Sequence, residues 1–197
     1  DTLWQNNADG TFTNVAVEAG VNNNEVGWHA SFIDFDADGW RDLYVINGDV
    51  VVEKRTNRNR LYHNNRSGGF DEIAGKVGAL DSVRGRGGAC GDFDLDGDTD
   101  IVIGRHNGEL AYYRNDSPPN GNWLGVELIG SASNRDGIGA KVYVTAGDRT
   151  QVAERQGNTG YVGQDAPQLF FGVGETNRVG VRVEWPASGI VQVWKDI

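Results

Sequence analysis

A ten-residue acidic string occurs twice in this chain, 58 positions apart. It reads Asp34-Phe35-Asp36-Ala37-Asp38-Gly39-Trp40-Arg41-Asp42-Leu43, then Asp92-Phe93-Asp94-Leu95-Asp96-Gly97-Asp98-Thr99-Asp100-Ile101. Two like charges 4 Å apart repel by roughly 4 kcal/mol at an effective dielectric near 20. Carboxylates at positions 1, 3, 5 and 9 therefore need a cation before such a loop closes. Donors that are all oxygen, with no Cys or His, favour a hard ion taking about six to eight ligands, which is calcium. The glycine after position 5 permits the sharp turn. The string opens like an EF-hand loop but lacks that loop's Glu at position 12, where Val45 and Ile103 stand. Leu43-Tyr44-Val45-Ile46 and Ile101-Val102-Ile103 are too short for helices and rich in β-branched residues, so each predicts a buried strand. Each loop is thus expected to join a β-hairpin, with calcium clamping the turn, at two sites in all.

The recurrence extends well beyond the loops. Leu3-Trp4-Gln5-Asn6-Asn7 matches Leu61-Tyr62-His63-Asn64-Asn65, and Gly10-Thr11-Phe12 lies over Gly68-Gly69-Phe70. Gly20 falls on Gly78 and Gly27 on Gly85, at the same interval and without a gap. Long repeats with several short strands predict propeller-type blades. Repeats are placed at about 3–60 and 61–111, with a third opening at Tyr112-Tyr113-Arg114-Asn115-Asp116. Strands are expected near Leu3–Asn6 and Leu61–Asn64, at Phe12 and Phe70, and on either side of each acidic loop.

Ser117-Pro118-Pro119-Asn120-Gly121 has linker composition, and beyond it no aspartate loop recurs. Residues 122–128, 139–145 and 179–185 alternate as half-buried strands, with shorter candidates at 168–171 and 190–194. Turns fall at 134–137 and 146–149. The fold class is therefore all-β: two propeller-type blades within residues 1–116, a linker at 117–121, and a small sandwich-like module over 122–197.

Two resemblances follow from these residues. Asp-x-Asp-x-Asp-Gly-x-x-Asp-Leu inside repeats of this length resembles the FG-GAP/VCBS repeats, which form calcium-bearing blades. That resemblance implies ligation by the side chains of Asp34, Asp36, Asp38 and Asp42 with the Trp40 carbonyl. It implies a second set of Asp92, Asp94, Asp96 and Asp100 with the Asp98 carbonyl, leaving the Asp98 side chain toward solvent. The second half resembles the ASPIC/UnbV domain through Asn122-Trp123-Leu124, Ser133 to Ala140, Phe171-Gly172-Val173-Gly174 and Trp185-Pro186 with Ser188-Gly189. That family usually carries Leu where Val173 stands and lacks Ala187. Repeats followed by such a domain is the order of the cartilage acidic protein-like family.

The net charge of −10 argues against nucleic acid and anionic membranes as partners. Nine of the 28 acids lie in the two strings, so much of the acidity is a metal-site signature. The single cysteine, Cys90, excludes an internal disulfide and reads as a small core residue. No leader or apolar run long enough to span a membrane is present, and the chain lacks methionine even at position 1, so it reads as part of something longer. Sites of this type suit millimolar calcium, which places the chain in a secreted, extracellular or periplasmic setting.

Several features carry two readings. Asn134–Gly139 offers Arg135 and Asp136 to a ligand, or is a turn that needs its glycines. Trp123 and Trp185 line a carbohydrate platform or pack as core. Arg84 and Arg86 balance the aspartates or bind a partner. Asn115-Asp116-Ser117 has the pattern of a glycosylation sequon. A catalytic reading finds little support. His29, His63 and His106 are scattered, no nucleophile or zinc motif occurs, and His63 shares its repeat position with Gln5 and Arg114. The expectation is a non-catalytic extracellular calcium-binding scaffold for a protein or glycan ligand. The alternatives are a structural subunit of a larger surface or membrane-associated assembly, and an accessory part of a propeller-containing hydrolase or lyase.

Overall fold

The computed structural model describes residues 1–50, 57–118 and 120–197. Residues 51–56 of the first repeat and Pro119 of the linker lie outside the described residues. Among those described, the protein is all-β, with fifteen strands in five antiparallel sheets. The first sheet pairs β1 (Trp4–Asn6) with β2 (Phe12–Asn14). The second runs up and down through β3 (Gly27–Ile33), β4 (Asp42–Asn47), β5 (Arg60–Asn64) and β6 (Phe70–Glu72). The third contains β7 (Gly85–Gly91), β8 (Asp100–Arg105) and β9 (Ala111–Tyr113). The sequence period opens on β1, β5 and β9, but the sheets open on β3 and β7. Repeat and sheet are half a unit out of phase, so the repeated sequence yields sheets of two, four and three strands.

The period is also written in the backbone. Left-handed φ angles occur at Ala8 and Arg66, Gly10 and Gly68, Gly20 and Gly78, Ala37 and Leu95, and Gly39 and Gly97, each pair at the sequence interval.

β4 is buried at every position because one face packs on the segment between β2 and β3 and the other on the third sheet. Leu43 and Val45 join Ala16, Ala19, Val21 and Tyr62 in one cluster, while Tyr44 and Ile46 join Ile33, Leu61, Cys90, Ile101 and Ile103 in another. Continuous rather than alternating apolarity in 43–46 reflects this double cover. Sheets two and three approach closely: a Cβ at Gly85 or at Gly88 would sit 2.2 Å from the Ile46 side chain. Cys90 lies buried in this core, as the sequence implied.

The C-terminal module has two layers. β10 (Asn122–Val126) pairs with β13 (Leu169–Gly174), and they cover a sheet ordered β12 (Arg149–Glu154), β11 (Lys141–Ala146), β14 (Gly180–Glu184), β15 (Val191–Trp194). Val142, Val144, Val181, Val183, Phe171, Val173 and Trp185 fill the space between the layers. The turn at 146–149 is a tight hairpin, with Ala146 opposite Arg149 and Gly147 at φ 62. The strand that leaves this turn, β12, was not expected from the sequence.

Candidate metal centre

Each acidic string folds as a hairpin connection, joining β3 to β4 and β7 to β8. The loop amides first fix the carboxylates. In the first loop, Gly39 N donates to Asp34 Oδ2 at 2.9 Å, Trp40 N to Asp38 Oδ1 at 2.7 Å, and Phe35 N to Asp42 Oδ2 at 3.2 Å. The second loop repeats the scheme: Gly97 N to Asp92 Oδ2 at 3.1 Å, Asp98 N to Asp96 Oδ1 at 3.1 Å, and Phe93 N to Asp100 Oδ2 at 3.2 Å. Asn64 N at the end of β5 adds a bond to Asp42 Oδ1, and Asn115 N just past β9 one to Asp100 Oδ1, both at 2.8 Å. Gly39 at φ 82 and Gly97 at φ 101 make the turns that the spacing required.

In the first loop, one oxygen each from Asp34, Asp36 and Asp42 lies within 4.8 Å of the others. Asp34 is 1% exposed and Asp42 fully buried. Burial, reinforced by the neighbouring carboxylates, pushes Asp34 up to about 6 and Asp42 up to about 8. Asp34 Oδ1 is buried without a hydrogen-bond partner. An unpaired buried acceptor costs about 1–3 kcal/mol, more when charged. A cation among these three residues would satisfy it and offset their mutual repulsion, so the donor set fits a hard ion.

Asp38 stands outside that trio. Its Oδ2 accepts from Arg66 Nη2 at 2.6 Å, and His63 Nε2 lies 3.4 Å from Asp36 Oδ2 and 3.9 Å from Asp38 Oδ2. His63 is thus a neighbour of the loop that the sequence reading passed over. Trp40 N donates to Asp38, and its indole lies under the Arg149 guanidinium at 4.9 Å.

The second loop gathers Asp92, Asp94 and Asp96 within 4.8 Å. Asp94 and Asp96 are exposed, unlike their counterparts in the first loop. Asp100 lies fully buried beneath the trio, its Oδ2 also taking the Tyr112 hydroxyl at 2.8 Å. Asp98 is half-buried rather than turned to solvent. Burial, then Asp96, Asp92, Asp100 and Asp94, lift its carboxyl to about 6.

Other candidates resolve differently. Arg86 does not balance the aspartates: it donates to the Gly48 and Asp49 carbonyls and lies over Trp28 at 4.5 Å. Asn134 closes its own turn, exchanging bonds with the Ile138 backbone at 2.8 Å in both directions. Trp185 is buried in the module core, with Nε1 donating to Gln192. The Asn115 side-chain amide donates to the Phe35 carbonyl at 2.6 Å.

The fold also brings together His29, Ser31 and Asp165. His29 Nε2 meets Ser31 Oγ at 2.8 Å, and Ser31 Oγ donates to Asp165 Oδ2 at 2.9 Å. A nucleophilic triad needs the carboxylate on the far ring nitrogen. Here Asp165 bonds the serine, Cys90 N donates to its other oxygen at 2.7 Å, and His29 Nδ1 is buried unpaired. The trio ties the C-terminal module to β3 and β7.

A family model described as ASPIC and UnbV matches residues 130–197. Cartilage acidic protein 1 of Homo sapiens is 28% identical over 168 residues, covering 80% of this chain and 24% of the human protein. Cartilage acidic protein 1 of Mus musculus is 27% identical over the same length, covering 80% of this chain and 25% of the mouse protein. The chain thus spans about a quarter of the length of these curated relatives. Among the described residues, no helix is long and apolar enough to cross a membrane.

Proposed function

We propose that this chain is a calcium-binding, non-catalytic part of an extracellular scaffold, with one structural ion in each acidic loop. The observation that carries the reading is Asp34, a carboxylate buried with an unpaired oxygen beside Asp36 and Asp42. The two loops are then FG-GAP/VCBS-type turns that fix the hairpins β3–β4 and β7–β8. Asp34, Asp36 and Asp42 would hold the first ion, with Asp38 and the Trp40 carbonyl completing its shell. Asp92, Asp94 and Asp96 would hold the second, with Asp100 and the Asp98 carbonyl. Calcium supplies charge neutralisation and turn geometry, and the chain's own residues set the surface offered to a protein or glycan ligand. The secreted or periplasmic setting rests on the calcium level that such sites need. The acidity of the chain and its likeness to proteins named for cartilage and acidity accord with it.

A thermal melt with calcium and with chelator tests the proposal. At a hundredfold excess over the dissociation constant, each ion stabilises folding by about 2.7 kcal/mol, so the midpoint should rise by several degrees. An unchanged midpoint would contradict it.

A further inference from the structure

We infer that the first acidic loop is a latch for the C-terminal module, so that filling it with calcium and docking the module are thermodynamically coupled. This rests on the calcium reading above and extends it. Asp34 Oδ2 accepts from Gly39 N within the loop and from Gly172 N in β13 at 3.0 Å, across 138 residues of sequence. The approach leaves no room for a side chain. A Cβ at Gly172 would lie 2.3 Å from the Ala37 carbonyl oxygen and 2.6 Å from Asp34 Oδ2. From the other side, a Cβ at Gly39 would lie 2.8 Å from the Gly172 carbonyl oxygen. That carbonyl is held by Gln151 Nε2 at 2.6 Å.

Asp36 and Asp38 are also held from beyond the linker's prolines, whereas Asp42 is bonded within the repeats. Asn120 donates through its side chain to Asp36 Oδ2 at 2.9 Å and through its backbone to the Asp36 carbonyl at 3.0 Å. Arg149 donates to the Asp38 carbonyl at 3.3 Å, and Arg41 reaches from the loop to the Phe170 carbonyl at 3.0 Å. Asp34, Asp36 and Asp38 are therefore each bonded to residues beyond the linker's two prolines. The second loop has no such bond among the described residues. The module meets it through the Trp123 ring, packed where a Cβ on Gly97 would fall 2.2 Å from Nε1.

Without an ion, Asp34 Oδ1 has no partner, and only the Gly39 and Gly172 amides hold the carboxyl through its other oxygen. With an ion, Asp34 is pinned where Gly172 N–H finds it. Linkage makes this reciprocal: whatever factor calcium contributes to docking, docking contributes to calcium affinity.

Amide exchange on the full chain, followed by NMR in calcium and in chelator, reads the coupling at the Gly172 amide. We expect exchange there to be at least about tenfold faster without calcium, while β11 amides in the module core keep their rates. The reciprocal arm uses a background in which Asp94→Asn and Asp96→Asn disable the second loop. There, Gly172→Val should weaken calcium binding by a similar factor. Should that variant not fold, Arg149→Ala removes the part-buried contact to the Asp38 carbonyl and should weaken binding in the same direction. Failure of wild-type protein to bind calcium overturns the underlying reading. Binding with unchanged exchange at Gly172 overturns the latch alone, as does equal acceleration at Gly172 and β11, which would mean global opening.

Discussion

At the scale of the residue, the first loop places two carboxylates where water cannot reach them. Asp42 sits beneath its loop with both oxygens taking backbone N–H groups, and Asp34 has one oxygen left over. Burial raises both carboxyls, to about 8 and about 6. Between the unfolded carboxylate range near 4 and these raised values, the ion-free native state holds protons that the unfolded chain has released. Ion-free stability should therefore fall as pH rises from about 4 to about 8. Calcium requires the ionised form, so it should flatten that slope and release protons on binding near pH 7. Melts across this range with and without chelator, with calorimetry in buffers of different protonation enthalpy, check both halves. A flat ion-free profile would count against the buried charges.

These clustered aspartates were legible in the sequence because their spacing along the chain already brings them together. The residues that grip them were not. Gly172, Asn120 and His63 reach the loop from distant segments, and each has a local explanation in the sequence: a strand glycine, a linker asparagine, a repeat position. Asp98 looked free because spacing does not report that four carboxylates crowd around it.

At the scale of the element, each hairpin stores some backbone strain. Ala37 and Leu95 occupy the same loop position with φ of 57° and 64°, a region that disfavours side chains with a Cβ. Leu95 is 78% exposed, so its side chain adds little packing. Leu95→Gly should therefore stabilise the protein by about 0.5–1 kcal/mol, read as a higher urea midpoint at constant slope. A lower midpoint would show that the leucine packs after all. Strand positions were readable wherever apolar residues ran together or alternated: β4, β8, β11 and β14 fall close to their expected places. β12 escaped because Arg149-Thr150-Gln151-Val152-Ala153-Glu154 carries only two apolar residues, and tertiary pairing to β11 settles its form. The half-unit offset between repeat and sheet was equally hidden, since periodicity gives the interval and not the hydrogen-bonding partner.

At the scale of the molecule, the second and third sheets pack together, and the two-layered module meets them at the acidic loops. Sequence composition changes at the linker but could not show that Gly172 closes on Asp34 or that Asp165 reaches Ser31. Both contacts depend on pairing segments more than a hundred residues apart. The central claim is that the two loops are ion sites set by their aspartates. Equilibrium dialysis of the full chain against calcium tests it most directly. The account predicts two ions bound per chain, falling to one with Asp34→Asn while the protein stays folded. No bound calcium, or a stoichiometry indifferent to Asp34, would contradict it.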